Sequence, residues 1–80
     1  MYYVYMLKCK DGTLYTGITT DLTRRIAEHN SSKLGARYTS ARRPVRLIFS
    51  SRFRNRANAS REEYRIKQLP RTEKLKLIKK

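Results

Sequence analysis

Residues 2–19, YYVYMLKCKDGTLYTGIT, set aromatic, β-branched and other apolar residues on both sides of Asp11-Gly12. Asp-Gly between two such runs is a strong hairpin signal, because Gly accepts the positive φ that a tight turn demands. The register decides what the hairpin presents. A two-residue loop at Asp11-Gly12 pairs Lys10 with Thr13 and sends Tyr5 and Tyr15 to opposite faces. A three-residue loop from Lys10 to Gly12, with Gly12 left-handed, pairs Cys9 with Thr13, Leu7 with Tyr15 and Tyr5 with Gly17; both tyrosines then share a face.

The hairpin runs into TTDLTRRIAEHN, residues 19–30, which reads as a capped amphipathic helix. Thr20 is the expected cap, and Asp21 puts negative charge in the first turn. Leu22, Arg25, Ile26 and His29 follow the i, i+3, i+4, i+7 rule and share one face. A small domain would fill such a stripe with aliphatic residues, since a buried charge whose partner is missing costs about 3 to 5 kcal/mol. This stripe therefore either lines a site or lets Arg25 snorkel to the edge while His29 caps a carbonyl.

Further on, NSSKLGARY is a polar connection, with one helical turn around residues 36–40. RPVRLIFSSRF reads as a strand in which Val45, Leu47 and Phe49 alternate with Arg46, Ile48 and Ser50. A helix is expected from about Asn58 to Leu69, ended by Pro70, and a short basic helix follows that docks through Leu75 and Ile78. The order β-β-α-β-α-α gives an α/β chain of α+β type, a three-stranded antiparallel sheet flanked by helices, in a single domain spanning residues 1–80.

Composition narrows the function. Eighty residues bury only about 60 to 65% of their unfolded surface, so the core is thin. Twenty Lys and Arg against six Asp and Glu give a net charge of +14, spread through the chain. Such a field favours a polyanion, and nucleic acid is the expected partner, because phosphate neutralisation by Lys and Arg supplies sequence-independent affinity. No segment approaches the roughly 20 apolar residues needed to span a bilayer, and no signal peptide is expected ahead of the first strand. Cys9 is the only cysteine and His29 the only histidine, which rules out a disulfide framework and a structural zinc site. A cytoplasmic monomer without a small-molecule cofactor is expected.

With Tyr3-Val4-Tyr5 in the first strand and Tyr15-Thr16-Gly17 in the second, the chain resembles the GIY-YIG nuclease superfamily, most closely its small stand-alone members. Tyr3-Val4-Tyr5 stands where that family has GIY, and Tyr15-Thr16-Gly17 where it has YIG. Arg25, His29 and the segment ASREEYRIKQL complete the likeness, which covers essentially the whole chain. Ile18 replaces the Lys that many members carry near the second motif, and no Asn occurs after Asn58, where larger members have one.

The resemblance implies hydrolysis of DNA phosphodiesters with one divalent ion, Mg²⁺ or Mn²⁺, held mainly by a glutamate and the scissile phosphate. It assigns Tyr5 as the proton acceptor for the attacking water, Tyr15 as a second phenol beside it, Arg25 as the phosphate clamp, His29 as their neighbour, and Gly17 as the point of close backbone approach. The glutamate is contested. Ala59, Glu62, Ile66 and Leu69 lie at helical spacing, so periodicity favours Glu62. Alignment on Ile66-Lys67 selects Glu63 instead, and Glu63 is the metal ligand adopted. Without a metal, Glu63 reads as half of a capping box with Ser60 or as an i, i+4 ion pair with Lys67.

Lys33, Arg37, Arg42, Arg43, Arg46 and Lys67 are candidates to track phosphates, with Tyr38 placed to stack on a base or sugar. No recognition helix or base-reading motif is present. The expected function is a metal-dependent endonuclease acting on structured, damaged or single-stranded DNA. The alternative is a catalytically weak or inactive nucleic-acid-binding protein on the same scaffold.

Overall fold

The computed structural model describes residues 1–31, 39 and 41–78. Strands β1 (Tyr2–Lys8) and β2 (Leu14–Thr19) form the hairpin; helix α1 (Leu22–Ser31), strand β3 (Arg46–Phe53), and helices α2 (Arg56–Gln68) and α3 (Arg71–Ile78) follow. The sheet has the order β2-β1-β3, with both pairings antiparallel. This is the α+β arrangement expected from the sequence.

The hairpin takes the three-residue loop. Leu7 faces Tyr15 and Tyr5 faces Gly17; the Cys9 amide donates to the Thr13 carbonyl at 2.9 Å, and Gly12 has φ 86°. The Asp11 carboxylate accepts from the Thr13 amide at 3.1 Å and from its hydroxyl at 2.6 Å, fixing the turn locally.

β1 is the central strand and is covered on both faces, which explains why its middle is apolar without alternation. Val4 and Met6 form one core with Ala59 and Ile66 of α2. Tyr5 and Leu7 form the other with Cys9 and Val45, against Leu22 and Ile26 of α1. The sheet is thus sandwiched between α1 on one face and α2 on the other, with α3 closing the Val4 and Met6 core through Leu77 and Ile78. Leu77 takes the place expected of Leu75.

β3 departs from the alternation expected of it. Met6 pairs with Phe49 but Leu7 with Leu47, so Ile48 is an extra residue in a β-bulge. The bulge shifts the side-chain phase: Val45 joins the Tyr5 core, while Ile48 and Phe49 both join the Val4 core. Leu47 is left 38% exposed, where strict alternation would bury it.

The helix ends also differ by short distances. Asp21, not Thr20, caps α1, its carboxylate accepting from the Arg24 amide at 3.1 Å. Thr19 in turn accepts from the Asp21 amide. Asn55 caps α2 by accepting from the Asn58 amide at 2.9 Å, so that helix begins at Arg56, ahead of the expected Asn58. Leu69 is extended, with ψ 141°, as the residue before a proline should be.

Candidate active site

Tyr5 and Gly17 are cross-strand neighbours on the α1 face of the sheet. The Tyr5 ring lies directly over Gly17: a Cβ added there would meet the phenol oxygen at 2.6 Å and Cζ at 2.7 Å. Glycine is therefore required by the tyrosine, whose hydroxyl is carried toward the β2 edge of the sheet. Tyr15, two residues before Gly17, emerges on the same face with its ring centroid 6.4 Å from that of Tyr5.

α1 supplies the other half. Leu22 and Ile26 pack into the Tyr5 core, and the same stripe carries Arg25 and His29 to the tyrosines. His29 is wholly buried. Its Nε2 lies 2.9 Å from the Tyr5 hydroxyl and its Nδ1 2.7 Å from the Thr39 hydroxyl. Its ring stands edge-on to Tyr15 at 5.1 Å. Arg25 hydrogen-bonds to the Tyr5 phenol and donates to Glu28 at 2.9 Å. The polar half of the stripe is thus fully engaged, and among the described residues no buried side-chain nitrogen or oxygen lacks a hydrogen-bond partner.

This environment sets the protonation states. Burial, reinforced by the nearby Arg25 and Arg43 charges, lowers the His29 pKa to about 4, so the imidazole is neutral at pH 7. Burial pushes the Tyr5 phenol above its ordinary value; the Arg25 hydrogen bond partly opposes this, and the charges of Tyr15 and Glu63 add to it. Arg25 can only donate, so the phenol oxygen accepts from it, which leaves the phenol proton free to be donated to Nε2 of His29 in the Nδ1–H tautomer. In that tautomer Nδ1 carries the imidazole proton and donates it to the Thr39 hydroxyl.

The two glutamates are used differently. Glu62 holds Arg65 in a bidentate pair at 2.7 and 2.6 Å, facing its own helix. Glu63 pairs with Lys67 Nζ at 3.1 Å and lies close enough to Tyr5 for its charge to act on the phenol. α2 lies across β1 and β2 from the opposite face, and the Tyr5 hydroxyl reaches toward that same edge, which is how one residue from each side comes into electrostatic range. Among the described residues there is no cluster of three or more His, Cys, Asp or Glu. A single carboxylate in electrostatic range of a phenol suits a hard cation such as Mg²⁺ or Mn²⁺ that draws its remaining oxygens from water and phosphate, and does not suit tetrahedral zinc.

Of the candidate phosphate contacts, Arg46 is exposed, while Lys67 is paired with Glu63. Arg42 is tied to Asp11 at 3.1 Å, and Arg43 donates to the His29 carbonyl at 2.5 Å. Both arginines thus have a part in the fold. Lys33, Arg37 and Tyr38 lie outside the described residues, as does most of the expected turn at 36–40. Two supporting residues carried no signal in the sequence. Thr39 holds the far nitrogen of His29, and Asn30 clamps the backbone of Val45, accepting from its amide at 2.7 Å and donating to its carbonyl at 3.0 Å. Each acts on a residue far from it in sequence, where periodicity says nothing. No helix among the described residues is long and apolar enough to cross a membrane.

A model of the GIY-YIG catalytic domain matches residues 1–76. The UPF0213 protein of Desulfotalea psychrophila is 58% identical over 78 residues, which is 98% of this chain and 71% of that protein. That of Staphylococcus haemolyticus is 52% identical over 77 residues, 96% of this chain and 93% of that one. The solution NMR structure of a UPF0213 protein from Bacillus halodurans has a TM-score of 0.63 at 48% identity, covering 99% of this chain and 84% of its own. The matches run from the Tyr3-Val4-Tyr5 strand through Glu63 and into the last helix, and on that extent the chain belongs to the GIY-YIG catalytic domain family.

Proposed function

We propose that the protein is a metal-dependent endonuclease that hydrolyses DNA phosphodiester bonds. The observation that carries this reading is the setting of the Tyr5 phenol, held between a neutral imidazole and a guanidinium, within range of the Glu63 carboxylate. The phenol has an imidazole behind it that can accept its proton, and charges of both signs around it.

Bound to Glu63, Mg²⁺ or Mn²⁺ supplies Lewis acidity at the phosphate and stabilises the leaving oxygen. Tyr5 takes a proton from the attacking water as its own hydroxyl proton moves to Nε2 of His29. Thr39 keeps the imidazole in the tautomer that accepts. Arg25 carries a permanent charge to the phosphate; its i, i+3 pair with Glu28 is partly exposed and weak enough for a phosphate to displace. Lys67 neutralises Glu63, the carboxylate that would hold the metal.

Tyr5 is only 1% exposed, and this favours a second reading, a nucleic-acid-binding protein that keeps the scaffold without useful catalysis. Plasmid nicking with Mg²⁺ or Mn²⁺, run beside Glu63→Gln, decides between them. The nuclease reading expects cleavage by the wild type and none by the variant, with metal-free DNA affinity unchanged or slightly raised. A pure wild type that binds DNA yet cleaves no duplex, single-stranded or branched substrate sinks it.

A further inference from the structure

Lys8 of β1 and Arg46 of β3 stand directly opposite one another in the sheet. Like charges in that position repel, and neither is relieved: among the described residues, no acidic side chain pairs with Lys8, Arg46 or the neighbouring Lys10, all of them exposed. The nearest acid in sequence, Asp11, is committed to Thr13 and Arg42. The three cations line one cavity of about 260 Å³, whose remaining wall is Cys9, Pro44 and Val45. Its two sides are fastened together, because the Lys10 amide donates to the Arg42 carbonyl at 3.0 Å and Asn30 clamps Val45.

We propose that this cavity is a second anion site, which takes a phosphate group of a nucleic-acid backbone between Lys8, Lys10 and Arg46. A phosphate there removes the Lys8–Arg46 repulsion and meets three donors that the fold leaves without an acidic partner. The site is separate from the Tyr5 surface. Lys8 is three residues beyond Tyr5, roughly 10 Å along the strand at about 3.3 Å per residue, so the cavity lies past the end of the Tyr5 core, where Cys9 and Val45 close it. A phosphate held here is therefore not the one that Arg25 would clamp. It would be a flanking phosphate of the same strand, which fixes how that strand crosses the end of the sheet. The cavity does not depend on the nuclease reading, since it needs affinity and no chemistry.

The wild-type protein, labelled with ¹⁵N, is titrated with a short DNA duplex and, separately, with inorganic phosphate, following the backbone amides. Shifts centred on Lys8, Lys10 and Arg46 are expected with the duplex. If inorganic phosphate produces them too, a free anion is enough; if only the duplex does, the site needs a continuous backbone. Absence of shifts at these residues with either ligand overturns the proposal. As a second arm, Lys8→Gln, Lys10→Gln and Arg46→Gln are combined and compared with the combined Arg54→Gln, Arg71→Gln and Lys74→Gln, which removes the same charge elsewhere. The first set is expected to weaken duplex binding at least tenfold more than the second. It is also expected to reduce the log–log salt slope by about 0.9, the contribution of one phosphate contact. Equal losses in the two sets would mean that only the overall field matters. Localised shifts in a protein that never cleaves DNA would leave this site standing and the nuclease reading rejected.

Discussion

The Tyr5 hydroxyl and Nε2 of His29 lie 2.9 Å apart, joining the central strand to the first helix across 24 residues of sequence. Protonating the buried imidazole would turn Nε2 into a donor and reverse the direction of this bond, at the cost of placing a charge in the interior. As the only histidine in the chain, His29 gives a single imidazole signal. That signal is expected to stay in the neutral form down to about pH 4. Between pH 6.5 and 4 the unfolded chain holds a proton that the folded chain refuses, so stability rises with pH across that window and is lost as pH falls through it. The full loss is about 3 to 4 kcal/mol at most, a large share of the roughly 5 to 15 kcal/mol typical of a domain. Urea unfolding at several pH values checks this, and His29→Gln is expected to flatten the profile in that window. An imidazole that titrates near 6.5 contradicts the assignment.

Gly17→Ala tests the contact beneath the tyrosine. The added methyl would sit 2.6 Å from the phenol oxygen, so the ring must move and the His29 bond must lengthen or break. A cost of about 1 to 3 kcal/mol is expected from overpacking. In a Tyr5→Leu background the cost is expected to fall sharply, because the atoms that clash are gone. Equal costs in both backgrounds would place the effect in the strand backbone instead.

Much of this arrangement is legible from residue types and spacing. Asp11-Gly12 fixes the hairpin, and the Leu22, Arg25, Ile26, His29 stripe identifies a helix face too polar for a plain core. The choice between two hairpin registers is harder, since both satisfy the turn; Gly17 resolves it, because only the three-residue loop sets a glycine opposite Tyr5. The bulge at Ile48 was hidden by a sequence that alternates regularly but meets cores on both faces of the sheet. Thr39 and Asn30 were hidden for another reason. Their partners, His29 and Val45, are brought to them by the path of the chain and by no local period. Glu62 and Glu63 are ambiguous because both flank the inward line of α2 and both are ion-paired, Glu62 with Arg65 and Glu63 with Lys67, the i, i+4 pair expected of Glu63 without a metal.

Asn30→Ala is expected to destabilise the protein more than a helix-terminal surface substitution should. It strips the Val45 amide and carbonyl of their side-chain partner at once, and a buried group left unpaired costs about 1 to 3 kcal/mol. Asn30→Asp keeps the acceptor for the Val45 amide and loses the donor, so an intermediate loss is expected. Thermal unfolding of the three proteins gives the order. A loss within about 0.5 kcal/mol for Asn30→Ala, the range of ordinary surface changes, would show that the clamp contributes nothing.

The two phenols can be told apart by their kinetics. If Tyr5 is the proton acceptor, Tyr5→Phe is expected to lower the cleavage rate by about 10²- to 10⁴-fold, while Tyr15→Phe, which leaves the Tyr5–His29 bond intact, costs much less. Tyr5→Phe also strands Nε2 of His29 in the interior, so a modest fall in stability accompanies it; rates are therefore compared well below the unfolding midpoint. The pH profile separates two routes for the proton. Transfer of the Tyr5 proton to a neutral His29 during the reaction needs only that the imidazole be unprotonated, so the rate is expected to be flat from about pH 5.5 to 9, given a His29 pKa of about 4. Prior ionisation of a phenol whose pKa is raised by burial would instead make the rate climb tenfold per pH unit across that range. A climbing profile removes His29 from the proton path. A larger loss for Tyr15→Phe than for Tyr5→Phe moves the base to Tyr15, the more exposed of the two rings, and leaves Tyr5 as the residue that positions Arg25 and His29.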